Sequence, residues 1–199
     1  NAVNTITFKD GKYYGTITDG IGFTRSLEEQ GWLIKDKKIT MVGAGGASTA
    51  IMVQLALDGV KEIIVYNRTM RTEFQEIINN TIIETGCTIT LKSLSDLESL
   101  KKDMHSSYLF INTTGVGMEP MLERSVVPDA SYFKPDLKVA DIIYQPAVTK
   151  MLRLAKEAGC ATMNGELMLL YQGVESFKIW TGQEMPINEV KKVLGIEVK

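Results

Sequence analysis

Three groups of residues in this sequence have types and spacings suited to chemistry. The first is a glycine turn, Met41-Val42-Gly43-Ala44-Gly45-Gly46-Ala47-Ser48. Placed between a strand and a helix, such a turn can hold a phosphate. Gly43 allows the tight bend, and Gly45 lets the backbone approach a pyrophosphate. The helix beginning near Gly46 aims free N–H groups and a partial positive charge at the anion. The plain alternative is a structural turn that holds nothing. The second group, Asn67-Arg68-Thr69 with Arg71, closes the next strand. A site for NAD places an acid there to accept from the ribose 2′-hydroxyl. This chain has an amide, a hydroxyl and two guanidiniums instead, which match a 2′-phosphate in geometry and charge. Two cations at a helix N-terminus oppose its dipole, so a bound anion explains them better than solvation does. The ligand predicted is NADP, with NAD as second choice. The missing acid also weakens a methyltransferase reading. The third group is Asp19, a carboxylate beside a helix start. It reads equally as a helix cap and as the partner of a catalytic cation.

These residues need elements to position them. Thr5 to Tyr14 alternate around Asp10-Gly11 and predict a hairpin. A helix follows over Gly20–Gln30, with Thr18 or Asp19 as its cap. Strands are predicted at Lys38–Val42, Glu62–Tyr66, Thr88–Leu91, Tyr108–Asn112, Lys138–Ile143 and Ala161–Met163. Helices are predicted at Thr49–Asp58, Arg71–Thr85, Leu97–Lys102, Thr149–Ala158, Glu166–Thr181 and Ile187–Val193. Short apolar strands alternating with helices imply a parallel sheet covered on both faces. The fold class is α/β, a doubly wound Rossmann domain with its ligand crevice at the strand carboxyl ends. Tyr144 should lie near that edge, either in the core or at the ligand. On the long helix, Leu167, Leu170, Tyr171, Val174 and Phe177 form an apolar stripe. Gln172 is turned from it by about 100°, free for solvent or for a ligand hydroxyl. Trp180 is expected to pack the last helix.

Composition excludes other classes. The chain has 199 residues and a formal net charge of −2, too even a balance to suggest a nucleic acid or an anionic membrane as partner. No apolar run approaches the ~20 residues that span a bilayer. Cys87 and Cys160 stand far apart and read as reduced core thiols of a cytoplasmic protein. His105 is the single histidine, so neither a metal cluster nor a Ser/His/Asp triad is expected.

At this level of detail the chain resembles the shikimate dehydrogenase family, including its quinate/shikimate branch. The resemblance rests on Ala2-Val3-Asn4-Thr5, Thr18-Asp19-Gly20, Gly43 to Ala47 and Asn67-Arg68-Thr69. It continues through Asn112-Thr113-Thr114 with Val116-Gly117-Met118, Asp141 to Pro146, and Gly165 through Gly182. It implies NADPH-dependent reversible reduction of 3-dehydroshikimate to shikimate, a step of chorismate and aromatic amino acid biosynthesis. It also implies that Asn4, Asp19, Tyr144 and Gln172 bind substrate. Asp19 would hold the catalytic lysine. Thr113, Gly115, Ile142, Tyr144 and Gly165 would join Gly43, Ala44, Gly45, Gly46, Ala47, Asn67, Arg68, Thr69 and Arg71 around the cofactor.

Family members carry that lysine in an N-terminal substrate lobe. The chain begins at Asn1 without a methionine, so it is expected to be a C-terminal portion, inactive alone. The expected division is residues 1–20 as a remnant of the substrate lobe, 21–182 as the Rossmann domain and 183–199 as a C-terminal helix packing back toward that lobe. The partner is a small molecule, with a homodimer as the oligomer to test. Three positions depart from the family pattern: Ile17 replaces an amide, Gly115 stands where proline, serine or lysine is usual, and Glu166 where a small residue is common. The competing readings are a quinate/shikimate dehydrogenase using NAD or NADP, a dinucleotide-binding module without chemistry, and, more weakly, another two-lobed NADP enzyme such as a folate-linked dehydrogenase. The segments Tyr171-Gln172 and Asp141 to Pro146 argue against the last.

Overall fold

The structure, a computed structural model, describes residues 2–196. Its first element is the expected hairpin. Strands β1 (Thr5–Lys9) and β2 (Lys12–Thr16) pair antiparallel. Asp10 and Gly11 between them take φ of 52° and 75°, the backbone of a tight two-residue hairpin turn. The alternation does not mark a half-buried strand pair, because Thr5 alone of these two strands is buried. Phe8 and Tyr13 meet in the open with their rings tilted by 50°, 4.9 Å between centroids.

Six further strands form one parallel sheet: β3 (Lys38–Val42), β4 (Glu62–Asn67), β5 (Thr88–Ser93), β6 (Leu109–Asn112), β7 (Lys138–Asp141) and β8 (Ala161–Met163). Their order is β5-β4-β3-β6-β7-β8. The chain runs outward from β3 to one edge, returns to the far side of β3, and runs to the other edge. That reversal opens a crevice at the carboxyl ends of β3 and β6, where doubly wound sheets take ligands.

The helices are α1 (Asp19–Glu29), α2 (Gly46–Leu57), α3 (Thr72–Thr85), α4 (Leu97–Ser106), α5 (Lys150–Glu157), α6 (Glu166–Thr181) and α7 (Ile187–Leu194). Alternate side chains of each strand feed opposite faces of the sheet. Ile39, Met41, Ile63 and Val65 pack with Phe23 of α1, Ile51 and Leu55 of α2, and Phe74 and Ile78 of α3. Val42, Ile64 and Phe110 pack on the other face with Leu100 and Met104 of α4 and Leu152 of α5. The stripe expected on α6 is buried at Leu167, Leu170, Tyr171 and Val174 and receives Ile187 and Val190 of α7. Lys191 of α7 bonds Glu29 of α1 at 2.6 Å, so α7 is fastened to α1 as well as α6.

The differences from the sequence expectations are local. Helix α2 starts at Gly46 rather than Thr49. Helix α4 continues to Ser106, because Asp96 caps it and Leu100 and Met104 bury one face. Strand β7 stops at Asp141 rather than Ile143, since the Asp141 side chain turns back to accept from the Ile143 N–H at 3.2 Å. Trp180 is exposed and bonds the hairpin instead of packing the last helix, its Nε1 donating to the Ile6 carbonyl at 3.1 Å.

Candidate active site

The glycine turn joins β3 to α2 at the crevice. Gly43 has φ 122°, and a Cβ there would sit 2.4 Å from the Thr113 Oγ1. Only glycine fits against β6 at this point. Thr113 in turn donates to the Val42 carbonyl at 2.7 Å, and Ser48 to the Gly43 carbonyl at 2.6 Å. The inner side of the turn is thus packed, while its outer side is open: nothing lies within 4 Å of a Cβ added to Gly45. Gly45 is the cap residue of α2 and provides no side chain to its free N–H groups. They face a cavity of about 990 Å³ that Ala44, Gly45, Gly46 and Arg71 line together. Open space, bare N–H groups and a cation fit a pyrophosphate bearing a further phosphate nearby.

Strand β4 delivers the second group. Asn67 ends it, and its Nδ2 donates to the Thr69 carbonyl at 2.7 Å. This bond curls the loop so that Arg68, Thr69 and Arg71 all stand exposed before α3. Among the described residues neither arginine pairs with a carboxylate. Arg71 reaches the cavity of the glycine turn, whereas Arg68 is not part of its lining.

On the other side of the crevice, the loops after β6 and β7 line a second cavity of about 800 Å³ that includes Thr113, Gly115, Ile142, Tyr144 and Pro146. A buried chain of side-chain bonds holds the two loops together. Asn112 accepts from the Thr114 N–H and hydroxyl at 3.0 and 2.7 Å. Its Nδ2 donates to Asp141 Oδ1 at 3.0 Å, and Asp141 Oδ2 accepts from the Thr149 hydroxyl at 2.7 Å. Burial raises the Asp141 carboxyl to about 6, against the Thr149 hydroxyl, the Ile143 N–H and the Asn112 amide, which favour its charged form. Gly165 meets the same loop: its N–H donates to the Ile143 carbonyl at 3.0 Å, and a Cβ would lie 2.0 Å from the Ile142 carbonyl oxygen.

The third group assembles from three distant parts of the chain. Asn4 Nδ2 lies 2.7 Å from Asp19 Oδ1, 3.1 Å from the Thr18 Oγ1 and 3.3 Å from Gln172 Oε1. The Thr18 N–H donates to Asn4 Oδ1 at 3.1 Å. Thr18 holds the cap position of α1, with no side-chain bond into the helix. Asp19 is therefore not spent as a cap, and its carboxylate faces Asn4. Partial burial raises its carboxyl above the ordinary range, and the Asn4 amide opposes that shift. Close backbone packing places the cluster. A Cβ added to Gly20 of α1 would lie 2.5 Å from the Ala50 carbonyl oxygen of α2, and one added to Gly22 would lie 2.7 Å from the Gln172 nitrogen of α6. A Cβ added to Gly46 would lie 3.1 Å from the Ala2 Cβ, so the cluster borders the glycine turn.

The structure thus brings together Asn4, Asp19 and Gln172 in one cluster, and Ala44, Gly45 and Gly46 with Arg71 in one cavity, with Gly43 packed behind them. Thr113, Gly115, Ile142 and Tyr144 share the second cavity, which Gly165 abuts. Tyr144, expected with the substrate residues, has no hydrogen bond to the Asn4 cluster among the described residues. Of the departures, Ile17 lines the glycine-turn cavity, Gly115 borders open space, and Glu166 is exposed. The sequence marks Thr18 only as a helix cap and gives no sign of its bonds to Asn4 and Ser176, nor of the Asn112–Asp141–Thr149 chain. Ser176 stands 2.6 Å from Thr5 Oγ1 and 3.4 Å from Thr18 Oγ1. No motif or periodicity flags such pairs; the one available signal was Ser176 lying one helical turn beyond Gln172.

Residues 26–150 match the family model described as shikimate / quinate 5-dehydrogenase, and residues 165–194 the shikimate 5'-dehydrogenase C-terminal domain. The chain is 44% identical over 197 residues to a shikimate dehydrogenase (NADP(+)) of Listeria innocua, covering 97% of this chain and 67% of that protein. A shikimate 5-dehydrogenase from Listeria monocytogenes, solved with shikimate and NAD, superposes with a TM-score of 0.90 at 45% identity, over 97% of this chain and 68% of the other. A shikimate dehydrogenase solved with NADP+ gives 0.84 at 36% identity, over 99% and 68%. With the model matched across the glycine turn, both arginines and the Asp141 loop, the chain belongs to the shikimate/quinate 5-dehydrogenase family.

Proposed function

We propose that this chain acts as an NADP-linked oxidoreductase of the shikimate dehydrogenase type, interconverting 3-dehydroshikimate and shikimate. The observation that carries the reading is the Asn4 amide within hydrogen-bond reach of both Asp19 and Gln172, beside an open glycine turn. The cofactor supplies or receives the hydride. Gly43 to Ala47 bind its pyrophosphate, and Asn67, Arg68, Thr69 and Arg71 its 2′-phosphate. Thr113, Gly115, Ile142, Tyr144 and Gly165 flank its nicotinamide end. Asn4, Gln172 and Tyr144 orient the hydroxylated ring acid, because neutral amides both donate to and accept from hydroxyls.

Asp19 acts through charge. The alkoxide developing at the reduced carbonyl takes a proton, and an ammonium beside Asp19 would give it. Among the described residues no lysine pairs with Asp19, so we assign that ammonium to a residue outside them. We divide the chain accordingly: residues 1–20 belong with substrate binding, 21–182 with the cofactor, and 183–199 form a closing segment; residues 1 and 197–199 lie outside the described part. A cytoplasmic location and a homodimer are part of the proposal, the first supported by two unpaired, buried thiols, the second by the family resemblance alone.

Titrating the chain with NADPH tests the reading. Saturable quenching or enhancement of nucleotide fluorescence is expected of the chain, and oxidation on adding 3-dehydroshikimate is expected only when the lysine-bearing substrate lobe is supplied. Binding that yields no oxidation even with that lobe present favours a dinucleotide-binding module. Oxidation with dehydroquinate in place of 3-dehydroshikimate favours the quinate branch.

A further inference from the structure

The Asp141 carboxylate has no role in the reading above, and its setting is costly. It is fully buried at the end of β7, yet its three bonds come from neutral donors: the Asn112 amide, the Ile143 N–H and the Thr149 hydroxyl. No cation forms an ion pair with it among the described residues. An uncompensated buried charge is expensive, and an amide would fill the same space without that cost.

Sheet order says what the charge faces. The pyrophosphate turn follows β3, and the 2′-phosphate arginines follow β4, on one side of it. A dinucleotide seated this way must extend its other half to the opposite side, over the carboxyl ends of β6 and β7. The cavity of about 800 Å³ lies there, and Asp141 immediately precedes its lining residues Ile142 to Pro146. A nicotinamide ring is cationic when oxidised and neutral when reduced. In a site of low dielectric, one fixed negative charge beside the cavity that would take the ring would separate the two states.

We propose that Asp141 is a positioning residue whose buried negative charge makes this site favour the oxidised nucleotide, NADP+, over NADPH. The inference rests on the cofactor reading proposed above. Asp141 also fixes the two loops through Asn112 and Thr149, but that structural task alone would treat both nucleotides alike.

The test is the ratio of dissociation constants for NADP+ and NADPH, measured on the whole chain by nucleotide fluorescence and competition near pH 8. Asp141→Asn should raise the NADP+/NADPH ratio about three- to tenfold. Thr149→Val keeps the charge and removes one bond, and should leave the ratio unchanged while weakening both ligands together. The unsubstituted chain provides a second measurement should Asp141→Asn fail to fold. Its preference for NADP+ should fade as pH drops from about 8 to about 5.5, through the range in which a buried carboxyl gains its proton. The groups bonded to Asp141, the Asn112 amide of β6, the hydroxyl of Thr149 capping α5 and the Ile143 N–H of its own loop, do not titrate, and Glu119 and Tyr144 are the titratable groups of the cavity lining. The 2′-phosphate titrates in both ligands and cancels. Binding of both nucleotides with a ratio indifferent to Asp141→Asn or to pH would overturn the proposal alone. Failure of the unsubstituted chain to bind either nucleotide would overturn the cofactor reading and the proposal with it.

Discussion

Arg68 and Arg71 are exposed cations with no carboxylate partner among the described residues, ahead of a helix whose dipole repels them. Their positions make sense if an anion completes the loop. A hydrogen bond to a charged group contributes about 1.5–3 kcal/mol, so each guanidinium should matter only to a nucleotide carrying the 2′-phosphate. Arg68→Ala and Arg71→Ala should each weaken NADPH binding about tenfold or more and leave NADH binding nearly unchanged, as read by parallel fluorescence titrations. Equal losses for both nucleotides would assign the arginines to local structure. Asn4 shows the limit of residue-scale reading. Its identity was visible in the sequence, but its contacts span 168 positions to Gln172, and nothing in either neighbourhood announces the other.

At the scale of elements, α1 is the wedge that sets Asp19 against Gln172. It fits because Gly20 and Gly22 have no side chains where α2 and α6 cross it. A Cβ at Gly22 would lie 2.7 Å from the Gln172 nitrogen and 2.9 Å from the Met168 carbonyl oxygen. Alanine gains about 1 kcal/mol over glycine inside a helix. Overpacking against backbone, which cannot rotate away, costs about 1–3 kcal/mol, and the second effect wins. Gly22→Ala should lower the urea midpoint. Gly173→Ala on α6, where nothing lies within 4 Å, should raise it. The sheet and its helices were largely legible because β3, β4 and β6 are apolar runs buried on both faces, and the α6 stripe repeats at helical spacing. The stretch from Thr113 to Val148 was not. It is held by bonds among Asn112, Asp141 and Thr149 rather than by periodicity, so β7 read two residues too long and the 3-10 turn at Ala130–Tyr132 went unseen.

For the whole molecule, the same buried carboxyl links stability to pH. Burial raises its folded value to about 6, above the ordinary aspartate value of 3.8. The folded chain therefore holds this proton more tightly than the unfolded chain does. The resulting stabilisation is full below pH ~4 and is lost as pH rises through ~6. Two pH units correspond to about 3 kcal/mol, an upper figure for the cost of the ionised group near pH 7. Asp141→Asn removes the titration. Its stability relative to the unsubstituted chain should improve by up to about 3 kcal/mol between pH 4 and 7, measured by denaturant unfolding at each pH. A pH-independent difference would mean that the carboxyl ionises freely.

The two tryptophans occupy opposite settings: Trp32 is 7% exposed in the core, and Trp180 is 60% exposed with its indole bonded to the hairpin. The molecule consequently carries two optical channels. One indole emits from an apolar interior and is shielded from dissolved quenchers. The other emits from water and registers whether β1 stays clasped to the end of α6. Intrinsic fluorescence of this chain is thus a composite, in which the blue component follows the sheet and the red component follows the hairpin.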